Sequence, residues 1–151
     1  MSESWLAEAE SLRELRPRHV LFLCVANSAR SQLAEGLARS LAPHDVKVSS
    51  AGSQPTSVRP QAIAVLREVG IDISHHASNA LHDVERPVDA VITLCAEEVC
   101  PVWLEAAWRA HWPLPDPVGV EGSEQHELDA FRAARDELQR RLGVVFGPQG
   151  V

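Results

Sequence analysis

Hydrophobic and polar positions alternate along the chain between two periods. Val20-Leu21-Phe22-Leu23 is a continuous apolar run, the pattern of a strand buried on both faces. Leu33, Ala34, Leu37, Ala38 and Leu41 follow at helical spacing, and Pro43 stops them. Val46 to Ser49 alternates as a second strand. Pro60 suits the first position of a helix whose apolar face is Ala62, Ile63, Leu66 and Val69, with Gly70 as its C-terminal stop. Val88 to Leu94 predicts a third strand, and Ala110-His111-Trp112 a short fourth. Pro113, Pro115 and Pro117 then stiffen a loop. Ser123 reads as an N-cap, with Glu124 near the positive helix end. Leu128, Phe131, Ala134, Leu138 and Leu142 mark the core face of a long last helix.

This order predicts an α/β three-layer sandwich: a four-stranded, mainly parallel sheet with helices on both faces. Residues 18–151 form a single domain in this reading. Residues 1–17 stand outside it as an extension. There Trp5, Leu6, Ala9, Leu12 and Leu15 could line one face of a short helix that packs on the domain, is a loosely held extension, or binds a partner.

In sheets of this kind, sites gather at the C-terminal ends of the strands. Cys24 and Cys95 both fall at such ends, and the proline-rich loop follows another. A loop between a buried strand and a helix turns backbone N–H groups inward and forms an anion cradle with the helix N-terminus. A cysteine at its start sits in positive potential, which favours the nucleophilic thiolate. Val25, Ala26, Asn27, Ser28 and Ala29 are mostly small, so the loop can curl. Asn27 tolerates left-handed geometry. Arg30 can grip two oxygens of a tetrahedral anion, and Ser31 can hydrogen-bond the thiolate. Asp116, in an Asp-Pro of the stiff loop, is a candidate acid for protonating a departing oxygen. Against this stands the plain alternative of a small, inert core cysteine.

The bulk numbers narrow the classes. The chain has 151 residues, 45% hydrophobic and 23% charged, with a net charge of −7. Its lysines and arginines are scattered, which argues against nucleic acid or an anionic membrane as partner. No apolar run approaches the roughly 18 residues of a membrane span. No signal peptide is evident at the N-terminus, so the cytoplasm is expected. Three cysteines do not suit a secreted disulfide framework. Cys95 and Cys100 lack a zinc-ligand spacing, and adjacent His75 and His76 read as a surface turn pair, so no metal site is expected.

"CVANSARSQLAEG" (residues 24–36), with "SSAGSQP", "GIDISHHAS", "VITLCAEEVCP" and "HWPLPDP" in order behind it, resembles the low-molecular-weight protein tyrosine phosphatase family, and most closely its thioredoxin-coupled arsenate reductases. The resemblance runs from about Arg18 to Leu142. It implies the low-molecular-weight tyrosine phosphatase-like fold, Cys24 as nucleophile, Asn27 and Ser31 as loop braces, Arg30 as oxyanion ligand and Asp116 as general acid. It further implies that Cys95 attacks Cys24 to release arsenite, that Cys100 then attacks Cys95, and that thioredoxin, or another thiol such as glutathione or mycothiol, reduces the final disulfide. No bound cofactor is implied; arsenate would be the substrate, with phosphate or sulfate as competing oxyanions. In some members a monovalent cation sits near the nucleophile loop. Asn27, Glu35 and Ser50 match that site, while Ala77 and Asn79 depart from it. Glu35 has a plain alternative as a solvated or cap-supporting helix residue.

Two features separate reductase from phosphatase. On an intact helix, residues five apart lie ~7.5 Å along the axis and ~140° around it, too far and too divergent for a disulfide. Cys95 and Cys100 can therefore join only if their segment is a loop or rearranges, and Pro101 disfavours helix at Cys100. The chain also contains no tyrosine, and no aromatic follows Asp116 until Phe131. A mouth poor in aromatics fits a small inorganic anion better than a phosphotyrosine ring. A phosphatase of the same fold is the runner-up, and a non-catalytic oxyanion-binding module the third reading.

Overall fold

A computed structural model describes residues 4–96 and 99–147. Nine elements follow in order: α1 (Ser4–Leu15), β1 (His19–Cys24), α2 (Arg30–Leu41), β2 (Lys47–Gly52), α3 (Pro60–Arg67), a 3-10 turn (Leu81–Asp83), β3 (Ala90–Thr93), β4 (Trp108–His111) and α4 (Glu124–Phe146). The strands form one sheet in the order β2-β1-β3-β4, and every pairing is parallel. The chain steps outward from β1 to one edge, then returns across it to the other. A crevice therefore opens at the C-terminal end of β1, where the direction of winding changes.

All six residues of β1 are buried, which is why its sequence reads as a run rather than an alternation. Val20 and Phe22 join the main core with Leu33, Leu37, Leu66, Phe131, Leu138 and Leu142. Leu21 and Leu23 point the other way, into a second cluster with Val84, Val88, Val91 and Trp103. That face carries the 3-10 turn and the indole of Trp103. Trp112 packs in the main core.

The strand ends differ from the sequence expectation. β2 runs three residues past Ser49 because it pairs with β1 as far as Cys24↔Gly52. β4 starts at Trp108, set by its Ala90↔Trp108 register. Trp112 lies beyond it but still donates its N–H to Thr93 O at 2.8 Å. α3 stops at Arg67, so Val69 lies past the helix and is exposed. Gly70 turns the chain at φ +83°. Ser123 caps α4, accepting from the His126 N–H while His126 Nδ1 accepts from the Ser123 N–H.

Helix α1 buries Trp5, Ala9 and Leu12 and packs along α4; burial of a leucine such as Leu12 is worth about 1.5–3 kcal/mol. Leu15 remains exposed. On the far side, Glu68 ties α3 to α4. It takes Arg132 and Arg135 together, at 2.7 Å each.

Two expectations follow. The approach of β2 to the loop after β1 leaves no room at Gly52, where a Cβ would lie 2.3 Å from Val25 O and 2.9 Å from Cys24 O, both backbone. Gly52→Ala should cost about 1–3 kcal/mol of stability, measured by urea unfolding. Separately, the hydrogen bonds from Arg132 and then Arg135 hold the Glu68 carboxyl at about 2, against a usual 4.5. A carboxyl lowered in the folded state stabilises fully above its unfolded value and loses that contribution as pH falls toward the folded one. Glu68→Gln should therefore be less stable than the parent at neutral pH. The gap should close between about 4.5 and about 2, as read from urea midpoints across that range.

Candidate active site

Strand β1 delivers Cys24 to the crevice, 3% exposed and unpaired with any other cysteine. The chain then curls through Val25 to Ala29 and enters α2 at Arg30. Carbonyls in the curl are bonded outward. Gln54 N–H donates to Val25 O at 2.9 Å, Thr56 N–H to Ala26 O at 3.1 Å and Arg59 N–H to Ser28 O at 2.9 Å. The Asn27 carbonyl accepts from Ser78 Oγ at 2.7 Å and Gln32 Nε2 at 3.2 Å. With the carbonyls held outside, the curl can turn its N–H groups to the interior, the arrangement of an anion-binding nest. Cys24, Val25, Ala26, Ser28, Ala29, Arg30 and Asp116 line a small open pocket of about 220 Å³ there.

Asn27 takes φ +50°, as its type permits, and is fully buried. The Asn79 N–H donates to its Oδ1 at 2.7 Å, which fixes the orientation of the amide. Its Nδ2 then donates to Ser31 Oγ at 2.7 Å and to Ser50 Oγ at 2.9 Å. Since Ser31 Oγ accepts from Asn27, its own hydrogen is free to point at Cys24 Sγ, 2.9 Å away. That direction suits a thiolate, which can only accept.

Behind this pair, Ser50 donates to Glu35 Oε1 at 2.5 Å, and Arg39 closes on Glu35 Oε2 at 2.9 Å. Glu35 is 6% exposed, so it is not a solvated helix residue. Asn27, Glu35 and Ser50 do come together, but the Glu35 charge is already met by a guanidinium. Among the described residues, no three His, Cys, Asp or Glu side chains converge as a metal site.

Arg30 is 4% exposed. Its Nη1 donates to Leu114 O at 2.9 Å, and its Nη2 lies 3.7 Å from Asp116 Oδ2. One guanidinium thus joins the loop after β1 to the proline-rich loop and sets the Asp116 carboxylate at the pocket rim. Asp116 Oδ1 accepts from the Val118 N–H at 3.0 Å.

Cys95 follows β3 and is buried. Leu23 pairs with Thr93 and Leu94 N–H donates to Leu23 O, so Cys95 lies one residue past the position opposite Cys24, on the line of the neighbouring strand, whose spacing is ~4.8 Å. Cys95 is joined to half-buried Cys100 by a disulfide with a Cα–Cα distance of 5.6 Å. Residues 95, 96, 99 and 100 are outside any helix, as the spacing required. Between them, positions 97 and 98 fall outside the described residues.

Sequence reasoning missed several supports. Gln32 also donates to Ala77 O at 3.1 Å, and its Oε1 accepts from His76 Nδ1 at 3.1 Å. His76 is therefore more than a surface turn residue, and its partial burial lowers its pKa. Gly52 could have been suspected from its place at a strand end beside the loop, whereas Gln32 and Arg39 look like ordinary helix polars.

The profile of the low molecular weight phosphotyrosine protein phosphatase family matches residues 19–147. The chain belongs to this family. An arsenate reductase of Bacillus subtilis is 39% identical over 126 residues, 82% of this chain and 91% of that protein. A solved arsenate reductase in the phosphate binding state is 36% identical with a TM-score of 0.68, covering 83% of this chain and 93% of its own. A thioredoxin-dependent arsenate reductase of Corynebacterium glutamicum is 30% identical with a TM-score of 0.59, covering 91% of this chain and 69% of its own.

The Ser31 contact gives a direct test. Removing its hydroxyl in Ser31→Ala should slow iodoacetamide alkylation of Cys24 at neutral pH by about three- to tenfold, the size of one ordinary hydrogen bond. The measurement is the alkylation rate of the folded protein with the other two cysteines kept as a disulfide.

Proposed function

We propose that this protein reduces arsenate to arsenite through a relay of Cys24, Cys95 and Cys100, drawing its electrons from thioredoxin. The observation that carries the reading is the Cys95–Cys100 disulfide beside a pocket that holds a free Cys24. Ester hydrolysis has no use for a second and third cysteine at that place.

Atoms and electrons balance at each step. The Cys24 thiolate attacks the arsenic of bound arsenate, forming an S–As bond. Arg30 and the loop amides hold the remaining oxygens, and Asp116 supplies the proton with which one oxygen leaves as water. The Cys95 thiolate then attacks Cys24 Sγ. An S–S bond forms, the S–As bond breaks, and its electron pair stays with arsenic, which departs as arsenite. Two electrons have passed from sulfur to arsenic. The Cys100 thiolate next attacks Cys95 Sγ and frees Cys24 as thiolate. The arrangement with Cys24 free and Cys95 joined to Cys100 corresponds to the end of this sequence. A dithiol reductant then returns the last disulfide to two thiols. A dithiol protein such as thioredoxin supplies both electrons at once, and the Corynebacterium glutamicum relative is itself a thioredoxin-dependent enzyme.

The pocket dimensions favour a small anion. None of its lining residues is aromatic, and Trp103 and Trp112 are buried in the two cores instead. Phosphate and sulfate have the same tetrahedral shape and would compete. We assign the activity to arsenic detoxification in the cytoplasm, where thiol reductants are kept reduced. No helix of the described residues is long and apolar enough to cross a membrane.

Serine replacements separate the readings. Cys24→Ser, Cys95→Ser and Cys100→Ser should each lower thioredoxin-coupled arsenate turnover by at least about a hundredfold, since each removes a bonding atom rather than a support. Hydrolysis of a small aryl phosphate should fall only in Cys24→Ser. Full arsenate turnover in Cys100→Ser would refute the second exchange step and indicate an external monothiol.

A further inference from the structure

Helix α1 precedes the region that the family profile matches, yet its side chains reach the loop that carries Asp116. Trp112 stands directly after β4, two residues before Leu114 and four before Asp116. Its ring is 1% exposed, and its Nε1–H donates to Glu8 Oε1 on α1 at 2.9 Å. Two other buried indoles, Trp5 and Trp103, have no acceptor for Nε1 among the described residues. The Arg141 guanidinium of α4 lies 5.7 Å from the Trp112 ring and 5.2 Å from the Trp5 ring, so one cation bridges an aromatic of α1 and the aromatic at the base of the loop.

From Trp112 the path to the pocket is short and stiff. Leu114 N–H donates to Leu94 O at 3.1 Å, Leu114 O accepts from Arg30 at 2.9 Å, and Asp116 faces Arg30 at 3.7 Å. Pro113, Pro115 and Pro117 fix φ and carry no N–H. A shift at Trp112 is therefore passed along this segment rather than absorbed in it, and the segment has few backbone bonds with which to hold itself.

We propose that α1 is a brace for the acid loop, with Glu8 and Trp112 as positioning residues that set Asp116 against Arg30 at the pocket mouth. The inference rests on Asp116 acting as proton donor. Apolar packing of Trp5, Ala9 and Leu12 on α4 accounts for the presence of a helix here. It does not account for a carboxylate committed to the indole at the base of the loop.

The test uses the full chain with Glu8→Met, which removes the acceptor, Glu8→Gln, which keeps one, and Trp112→Phe, which removes the donor. Amide exchange at Leu114 should be about tenfold faster in Glu8→Met and Trp112→Phe, the effect of one lost hydrogen bond, and parent-like in Glu8→Gln. Turnover of arsenate should show kcat reduced about three- to tenfold with KM within about twofold, since the affected group acts in the chemical step. The double variant should be no worse than either single one. A lower melting temperature with unchanged Leu114 exchange and unchanged kcat would overturn the brace and leave α1 as core packing. Faster Leu114 exchange with unchanged kcat would overturn it too, since the loop would then move without consequence. Should the parent protein reduce no arsenate, the proposed function falls, while Leu114 exchange and aryl-phosphate hydrolysis still decide the brace. Should Trp112→Phe fail to fold, the two Glu8 variants carry the test alone.

Discussion

A loop that offers its N–H groups to an anion must find partners for its carbonyls elsewhere. Most of this site follows from that requirement. The carbonyls of Val25, Ala26 and Ser28 are taken by the segment that leaves β2, and that of Asn27 by Gln32 and Ser78. For the segment to come so close, β2 has to end in a residue with no side chain, and Gly52 stands there. The parallel pairing of β1 with β2 is thus part of the pocket and more than scaffolding. It places the donors of residues 54–59 where the acceptors of residues 25–28 need them.

The second constraint is electrical. A buried carboxylate without a partner would cost several kcal/mol, so Glu35 is retained only because Ser50 and Arg39 satisfy it. In return, the charge fixes where the Ser50 hydrogen goes. Ser50 must then accept from Asn27, Asn27 also donates to Ser31, and the last hydrogen faces sulfur. The orientation of the Ser31 hydroxyl is set by the Asn27 amide, which Asn79 fixes from one side and the Ser50–Glu35 pair supports from the other. Such chains are cooperative, which is why a single threonine or alanine anywhere along it would be felt at Cys24.

The elements and their order could be read from periodicity, because β1 is buried on both faces and each helix buries one stripe. Cys24, Arg30 and Asp116 stand out as candidates because their residue types are rare in that setting, and the fold brings all three to one pocket. The strand ends could not, since β2 and β4 are limited by what they pair with rather than by their own pattern. Nor could the roles of Gln32, Arg39 and His76. Each is an ordinary polar residue in sequence, and each acquires its meaning from a partner reached only through the fold. The cover of the second sheet face by Trp103 likewise depends on a loop whose path leaves no periodic trace. The readings from spacing succeeded where one segment carries the information and stopped where two distant segments share it.

The Cys95–Cys100 bond has unlike ends. Cys95 is 1% exposed just past the C-terminal end of β3, while Cys100 is half-buried between Val99 and the stretch to Leu104, whose Val99, Val102 and Leu104 side chains stand in solvent. Thiol exchange requires the attacking sulfur to approach along the axis of the bond it breaks. An outside thiolate can therefore come in only from the Cys100 side, with Cys95 as the group expelled. In the proposed relay the bond would act as a valve: electrons enter by the outer sulfur, and the inner one is left as the thiolate.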